Sequence, residues 1–494
     1  MSATCSHRKV ATKILVVIAS YGNANDRFLT RVLEEYRSMS YSCDIVVLSN
    51  IEKKLGSDVQ VNVGLPNKNP WSLPFAHKQL FAERVNDYDL FIYSEDDMLI
   101  TEKNVEAFLQ ATAILPADKI AGFLRFEKTP AGGKSYPDVH LGYHWDVQSV
   151  GTHGEYIYAF FTNEHAASYL LTRSQLQRAL ASRGFLVEPH EGKYDLLCAA
   201  ATDPYTQCGF EKVICVSHMN DFEIHHLPNK YVGRLGLAED QFCAQIQEVI
   251  RIARHGGQHT PMLTTKAQSA LSHFAKNYYE PVRADLIGLI ASNERTVLSI
   301  GCGWGATEEQ LMRAGKQVTA IALDSVISAC ARKRGVKALA GDFSTVLSEL
   351  SGQTFDCVLL SNILHLIAEP THFLQALGPH MSSTTRVISS VPNLSRAPVR
   401  WRSYFGNTAQ RTLGDFRRSG VHVTSRQTMR QWLHRAGLRV DQLVDIVPNR
   451  MAKLCQASGG ILSPLFSSEI VAIATVANEY YTLHSQGMSR KNLV

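Results

Sequence analysis

The chain alternates short, β-branched apolar runs with longer helical patterns, and it does so in two separate series. This alternation predicts α/β domains with mainly parallel sheets, because a helix usually connects one parallel strand to the next. The first series predicts strands at Ile14–Ala19, Asp44–Ser49, Tyr88–Ser94 and Lys212–Ser217. The second predicts them at Thr296–Ile300, Gln317–Ala322, Val336–Ala340, Phe355–Ser361, Thr385–Ser390, Arg439–Val447 and Glu469–Val476. A chain of 494 residues is long enough for two cores, so we expect two α/β domains.

A polar helical stretch separates the two series and is interrupted by His255-Gly256-Gly257 and by Pro261. Glycine and proline interrupt helices, so the domain boundary is predicted near residue 260. We therefore expect a first domain at residues 10–245, a helical linker at 246–290 and a second domain at 291–480.

Composition narrows the class of protein. The chain is 45% hydrophobic and 19% charged, as expected of a soluble globular protein. Its formal net charge of +5 is small for this length and does not indicate nucleic acid as a partner. The ten cysteines form no Cys-x-x-Cys pair, which favours a reducing cytoplasm. No apolar run approaches the roughly 20 residues of a membrane-spanning helix, so any membrane contact is expected to be peripheral.

The second series begins with an apolar strand that runs into Gly301-Cys302-Gly303-Trp304-Gly305 and then a helical pattern. Glycines allow a sharp turn and a close approach of the backbone to a ligand, and the following helix directs its first amides at that ligand. A tight turn without a ligand is the alternative interpretation. A dinucleotide-binding loop is disfavoured because its pattern is Gly-x-Gly-x-x-Gly.

The order of the later motifs resembles the class I, Rossmann-like S-adenosylmethionine (SAM)-dependent methyltransferases over residues 296–447. In that family the glycine loop holds the methionine part of SAM, and acids after the second and third strands hold the ribose and flank the adenine. The resemblance implies a cofactor site of Gly301, Cys302, Gly303, Gly305, Asp324, Asp342, Phe343 and Asn362.

One position departs from the family pattern. Ala322 stands where the family carries the ribose-binding acid, and Asp324 follows two residues later. Residues two apart on a strand share a face, so we expect Asp324 to take over that role. The alternative is that the domain binds SAM weakly.

The part of the chain after the fifth strand of this series is rich in arginine. The motifs Val391-Pro392-Asn393, Arg400-Trp401-Arg402, Tyr404-Phe405-Gly406, Gly420-Val421-His422 and Arg435-Ala436-Gly437 resemble the methyltransferase branch often found in polysaccharide and cell-surface glycan biosynthesis. Residues 396–450 contain eleven arginines, no lysine and three acids. Guanidinium groups suit phosphate and carboxylate, so we expect an anionic glycan or glycolipid acceptor. A solvated basic face is the alternative. The sequence holds no RNA-binding module, and His365 and His422 are candidates for the general base.

The strongest signal in the first half is an apolar strand that runs directly into Glu95-Asp96-Asp97. Adjacent carboxylates repel one another, and Mg²⁺ or Mn²⁺ is commonly held by one or two carboxylates together with substrate phosphates. A solvated acidic turn is the alternative interpretation. The pattern therefore predicts a divalent metal site at the end of this strand.

This acidic motif resembles the Asp-x-Asp motif of GT-A glycosyltransferases, with Glu95 and Asp97 at its two acidic positions; the resemblance covers residues 13–233. It implies a metal that bridges the protein to the diphosphate of a nucleotide sugar, with His226 as a later metal ligand. An inverting mechanism would need a carboxylate base, for which Asp195 and Glu191 are candidates, whereas a retaining mechanism would need none.

The sequence therefore predicts a bifunctional enzyme that transfers a sugar and then a methyl group to a glycan hydroxyl. In the first alternative only the methyltransferase is active and the N-terminal domain is a non-catalytic glycan-binding module. In the second alternative the chain is a scaffold in which Ala322 marks a lost SAM site.

Overall fold

The computed structural model describes residues 12–256, 259–264, 274–405 and 411–477. The chain divides into two compact units, Met1–Arg254 and His255–Val494, and each is described by itself. The segment predicted as a linker, residues 246–290, is shared between them. It begins inside a helix of the first unit and reaches Leu286 in the core of the second.

The first unit is built from fourteen strands and six described α-helices. Its strands are β1 Lys13–Ala19, β2 Ser42–Ser49, β3 Val59–Val63, β4 Leu90–Glu95, β5 Met98–Leu99, β6 Lys119–Ala121, β7 Leu124–Lys128, β8 Lys134–Tyr136, β9 Gly151–His153, β10 Tyr156–Ala159, β11 Ser168–Thr172, β12 Glu211–Cys215, β13 Glu223–His226 and β14 Leu237–Ala238. Its helices are α1 Asp26–Ser38, α2 Ala76–Glu83, α3 Glu102–Thr112, α4 Arg173–Ala181, α5 Leu196–Thr206 and α6 Glu239–His255. Short 3₁₀ turns lie at Pro70–Phe75, Val147–Ser149 and Val216–Asp221.

One five-stranded sheet of the first unit has the strand order β11-β4-β1-β2-β3. Strands β1 to β4 are parallel, whereas β11 is antiparallel to β4. The chain builds outward from β1 through β2 to β3 and then returns to the other side of β1. Ligands of open α/β sheets bind at such a switch point, outside the carboxyl ends of the strands. Here the switch places Ala19 of β1 beside Glu95 of β4.

Two further described sheets, of four and five strands, belong to this unit, with orders β6-β12-β10-β9 and β14-β8-β7-β13-β5. In the second of these, β13 pairs with β5 so that His226 lies opposite Met98. The backbone amide of Leu227 also donates to the carbonyl of Asp97 at 2.9 Å. This pairing carries the end of β13 to the end of β4.

The second unit contains one seven-stranded sheet with helices. Its strands are β15 Thr296–Cys302, β16 Gln317–Ala322, β17 Lys337–Leu339, β18 Phe355–Leu360, β19 Met381–Pro392, β20 Leu438–Ile446 and β21 Glu469–Val476. Its described helices are α7 Ala284–Ile287, α8 Ala306–Arg313, α9 Ser325–Lys333, α10 Phe343–Glu349, α11 Pro370–Ala376, α12 Ala397–Phe405, α13 Phe416–Ser419, α14 Arg426–Arg435, α15 Asn449–Ala457 and α16 Ser463–Phe466, with 3₁₀ turns at Leu364–Leu366 and Gly378–His380.

The order of this sheet is β17-β16-β15-β18-β19-β21-β20, and only β21 runs antiparallel to its neighbours. The sheet has its switch point between β15 and β18, which confirms the Rossmann-like architecture predicted for this half. Its core joins Val297, Val318, Leu359 and Ile388 of four strands. Within the described ranges, no helix has both the length and the apolarity that crossing a membrane requires.

Candidate active sites

The switch point of the first unit carries the acidic motif Glu95-Asp96-Asp97. Hydrogen bonds from side chains that follow β1 fix two of its carboxylates. Ser20 Oγ donates to Asp96 Oδ2 at 2.6 Å, and Asn25 Nδ2 donates to Asp96 Oδ1 at 2.8 Å and to Asp97 Oδ2 at 3.3 Å. Asn25 occupies the N-cap position of α1 but does not cap the helix with its side chain. The amide therefore serves the acidic motif, a role that the sequence analysis did not identify.

The three carboxyl groups are buried together. Burial, followed by the charge of Asp97, raises the pKa of Glu95 to about 8. Burial also raises the pKa of Asp96 to about 6, although its bonds from Ser20 and Asn25 act in the opposite direction. Among the described residues, Glu95 Oε1 and Asp97 Oδ1 accept no hydrogen bond. These two oxygens are buried acceptors available to a cationic ligand.

His226 is the histidine that β13 brings to this motif. Its Nε2 lies 3.4 Å from Asp97 Oδ2, and its Nδ1 lies 2.6 Å from Glu127 Oε1 on β7. A carboxylate on the far ring nitrogen is the usual support of a metal-binding histidine. The preceding His225 faces away, stacking on Phe126 with ring centroids 5.0 Å apart.

The predicted metal ligands Glu95, Asp97 and His226 do not form a complete protein site. In the part of the chain that the structure describes, no three His, Cys, Asp or Glu side chains are grouped as a metal would require. The residues nevertheless fit a hard divalent ion, because two carboxylate oxygens lack partners and His226 has its supporting carboxylate. Further ligands would have to come from substrate or water.

The two predicted carboxylate bases lie on the segment before α5, and both are exposed. Asp195 caps α5, its Oδ1 accepting the amide of Cys198 at 2.9 Å. Burial raises the pKa of Cys198, as do the negative charges of Asp195 and Glu95. The roles of Asp195 and Glu191 as carboxylate bases stay predictions.

In the second unit the glycine loop joins β15 to α8 at the switch point. Gly301 and Gly305 have φ of +75° and +86°, which side chains disfavour. A Cβ on Gly303 would approach the Tyr278 carbonyl oxygen to 2.1 Å, and one on Gly305 would approach Ala331 Cα to 2.9 Å, whereas one on Gly301 would meet the flexible end of Ile363 at 2.3 Å. Backbone conformation or close packing of the protein's own chain therefore demands all three glycines, and the predicted approach of a ligand is a separate matter. Between them, Cys302 is buried, and burial raises the pKa of its thiol.

The segment that backs the glycine loop was missed by the sequence analysis. The Tyr278 carbonyl accepts the Trp304 amide at 2.9 Å, and the Glu280 carbonyl accepts Trp304 Nε1 at 2.7 Å. Lys276 Nζ donates to Glu280 Oε2 and to the Ser361 carbonyl, each at 2.7 Å. Burial alone would raise the pKa of Glu280, but Lys276 and nearby donors hold it below its usual value. The backbone contacts have no residue signature by which sequence could reveal them.

The two acids predicted beside the ribose and adenine both cap helices. Asp324 is buried and its Oδ1 accepts the amide of Ile327 at 2.8 Å at the start of α9. Asp342 is exposed and caps α10, with its Oδ2 accepting the amide of Thr345 at 3.2 Å. Phe343 stacks on Phe373 with centroids 4.3 Å apart. Both phenylalanines line a largely apolar cavity of about 460 Å³.

Asn362 follows β18 at the switch point and has an unusual backbone conformation. Its φ is +47°, and its amide donates to the Ser390 carbonyl at 3.1 Å. Its Oδ1 is buried and, among the described residues, accepts no hydrogen bond. An unpaired amide oxygen at this edge fits a cationic donor such as the ammonium group of SAM, so the residues present fit this cofactor.

Both histidines predicted as general bases place one ring nitrogen against a backbone carbonyl. Burial lowers the pKa of His365 to about 4, and its Nε2 lies 3.0 Å from the Phe274 carbonyl. His422 Nε2 is 3.0 Å from the Ile367 carbonyl, and its ring stacks on Phe416. In a neutral imidazole that donates from Nε2, the lone pair that can accept a proton is on Nδ1. A base with pKa near 4 is weak at neutral pH, which disfavours His365, whereas the role of His422 stays a prediction.

His365 predicts how the stability of this unit depends on pH. The folded pKa is about 4, below the unfolded value of about 6.5, so acidification protonates the unfolded state first. The free energy of unfolding should then fall by about 2 kcal/mol between about pH 7 and pH 5. The His365→Gln variant should lose this dependence, whereas His434→Gln, on an exposed histidine, should keep it. Thermal unfolding at the two pH values measures this change in the free energy of unfolding. An equal change in wild type and in His365→Gln would contradict its assignment to His365.

Comparison with known proteins identifies the domain to which this second group of residues belongs. Residues 271–443 match the family described as "Methyltransferase domain". These residues are a methyltransferase domain. The methyltransferase domain is similar in structure to a SAM-dependent methyltransferase from Archaeoglobus fulgidus (15% identity, TM-score 0.31, covering 39% of this chain and 91% of that one). It is also similar to a putative SAM-dependent methyltransferase from Listeria monocytogenes (17% identity, TM-score 0.30, covering 39% of this chain and 97% of that one). No curated protein matches the chain.

Proposed function

We propose that the chain is a bifunctional transferase acting on a glycan. The methyltransferase domain uses SAM to methylate a hydroxyl, and the first unit is a GT-A-like, metal-dependent glycosyltransferase domain. The group formed by Asp97, His226 and Glu127 carries the proposal for the first unit. Its acid, imidazole and supporting carboxylate converge at the switch point of a parallel sheet, where ligands of such folds bind.

Different residues of the first unit would bind different parts of a nucleotide-sugar diphosphate and its metal ion. Asp97, Glu95 and His226 would hold Mn²⁺ or Mg²⁺, which neutralises the diphosphate leaving group. Asn25 and Ser20 fix the carboxylates, so that little reorganisation is needed on binding. A cavity of about 480 Å³ beside the ends of β2 and β3 has a suitable size for the nucleoside. Asp195 and Glu191 are the candidates for the carboxylate that would accept the acceptor proton in an inverting reaction.

The acceptor is proposed to be an anionic glycan or glycolipid. Arg396 follows β19 on the carboxyl edge of the methyltransferase sheet, and its Nε is buried with no hydrogen-bond partner among the described residues. Burial lowers the pKa of Arg396, and the charges of Arg450 and Arg402 lower it further. Three clustered guanidinium groups favour a phosphate or carboxylate on the acceptor.

Two assays on the full chain test this function. With Mn²⁺ and a panel of nucleotide sugars, slow hydrolysis of one donor is expected even without acceptor. With radiolabelled SAM and extracted surface glycans, label should enter the glycan. Methyl transfer without any donor turnover or donor binding would instead favour the alternative in which the first unit is a non-catalytic glycan-binding module. That alternative is consistent with the incomplete protein ligand set described above.

Glu127 provides a quantitative prediction for the metal. The Glu127→Gln variant keeps the size of the side chain but removes the charge that orients and polarises His226. Loss of such a supporting carboxylate lowers metal affinity by about 10–100-fold. Titration of Mn²⁺ followed by its electron spin resonance signal would measure this. The control is Glu211→Gln, which removes a more exposed carboxylate paired with Lys119. Equal Mn²⁺ affinity in wild type and Glu127→Gln would argue against His226 as a ligand.

A further inference from the structure

Two helices of the methyltransferase domain expose aromatic and apolar side chains together with basic ones. On α12, Trp401 is 67% exposed and Tyr404 is 76% exposed. Arg400 lies on the same face as Tyr404, because residues three and four apart on a helix are neighbours. On α15, Arg450, Lys453 and Leu454 share an exposed face in the same way.

A third helix, α16, contacts both α12 and α15. Leu465 on α16 is 48% exposed, and Ile461 in the preceding turn is 81% exposed. We call the exposed side chains of these three helices the basic-aromatic surface; it consists of Arg400, Trp401, Tyr404, Arg450, Lys453, Leu454, Ile461 and Leu465.

The charge of the basic-aromatic surface has one sign. Residues 394–405 and 447–468 contain no aspartate or glutamate. In the described ranges of the chain, Arg400, Arg450 and Lys453 form no ion pair. Three cations without counter-ions, next to large exposed apolar side chains, are costly unless a partner satisfies both.

The composition of the surface selects among partners. A phosphate-bearing glycan in solution would satisfy the cations, but it would leave Leu454, Ile461 and Leu465 in water. An anionic bilayer satisfies both kinds of group. Its headgroups attract Lys and Arg, and Trp and Tyr prefer the headgroup level, where their apolar rings and polar atoms each find a suitable environment.

We propose that the basic-aromatic surface docks the methyltransferase domain on an anionic phospholipid bilayer. The helices α12 and α15 follow β19 and β20, which are parallel to β15, so the surface lies at the same edge of the sheet as the glycine loop. Docking would therefore turn the cofactor edge toward the membrane, where a lipid-linked acceptor is held. The docking itself requires neither the sugar transfer nor the methyl transfer proposed above.

Vesicle sedimentation of the full chain tests the electrostatic part. We expect binding to phosphatidylcholine vesicles that contain phosphatidylglycerol, little binding to phosphatidylcholine alone, and weakening by salt. Each basic residue near an anionic surface contributes about fivefold to partitioning, so Arg400→Gln with Lys453→Gln should lower it roughly 25-fold. Arg313→Gln with Lys337→Gln removes the same charge from the amino edge of the sheet and should change partitioning little.

The fluorescence of Trp401 tests whether the basic-aromatic surface inserts into the bilayer. Brominated phosphatidylglycerol vesicles should quench part of the fluorescence of the wild type, and that part should be missing in Trp401→Phe. Circular dichroism and thermal unfolding establish that each variant is folded. Equal binding to neutral and anionic vesicles, an equal loss in the control pair, or unchanged quenching in Trp401→Phe would each overturn the proposal. Displacement by inorganic phosphate at the same ionic strength would instead identify a site for a soluble anion.

Discussion

Gly303→Ala is expected to reduce methyl transfer by about 100-fold, because a displacement of about 1 Å in a reacting geometry has an effect of that size. The new Cβ would lie 2.1 Å from the Tyr278 carbonyl oxygen, which is backbone. Either the loop or the segment behind it must move. The same carbonyl accepts the Trp304 amide, so the displacement would spread along the loop. Overpacking of this kind also lowers the free energy of unfolding by about 1–3 kcal/mol.

Gly288→Ala is the matched control for this variant. Gly288 is in the same unit, has an ordinary φ of −63°, and its added Cβ would lie 3.4 Å from the Ala284 carbonyl oxygen. Calorimetry with SAM and transfer of labelled methyl measure both variants. If Gly303→Ala is folded and binds SAM like the wild type, the loop is not the cofactor site. If both variants fail equally, the effect is one of general destabilisation.

The parallel sheets of both units could be predicted because their strands are buried on both faces and appear as continuous apolar runs. Val16 on β1 and Val358 on β18 are fully buried examples. The other two sheets of the first unit could not be predicted, since strands such as β5, with two residues, are too short to show a periodic pattern of apolar residues. β5 and β13 nevertheless bring His226 to Asp97.

The residues of the two sites also divide into those that the sequence could predict and those that it could not. Glu95 and Asp97 could be predicted because the acids directly follow a recognisable strand. Glu127 could not, because it reaches His226 through the pairing of β7 with β13, 99 residues apart along the chain. Asp324 was predicted as a site residue, but its hydrogen bond with the amide of Ile327 at the start of α9 was not predicted. An aspartate that caps a helix and one that binds a ligand at the same strand end look alike in sequence.

Asp97→Asn is expected to lower Mn²⁺ affinity and donor hydrolysis by at least about 100-fold. Loss of a carboxylate that only supports a metal ligand already costs about 10–100-fold, and the ligand itself should cost no less. Asparagine preserves the shape but removes the charge and replaces one oxygen by an amide nitrogen. Asp97 Oδ1 accepts no hydrogen bond from the described residues, and the remaining amide oxygen can take the place of Oδ2, which accepts from Asn25 at 3.3 Å, so little structural loss is expected. The effect should therefore appear in binding and turnover rather than in stability.

The control for this variant is Asp58→Asn, which removes an exposed carboxylate paired with Arg37 and should change stability by less than about 1 kcal/mol. Methyl transfer by the second unit provides an internal control, since the proposed metal site contributes no group to it. Mn²⁺-dependent hydrolysis that persists in Asp97→Asn would rule out the acidic motif as the metal site. If the wild type binds Mn²⁺ and Asp97→Asn does not, while neither hydrolyses any donor, the first unit binds the metal without being a transferase. The unpaired oxygens of Glu95 and Asp97 would then serve recognition of a phosphate-bearing ligand through the metal.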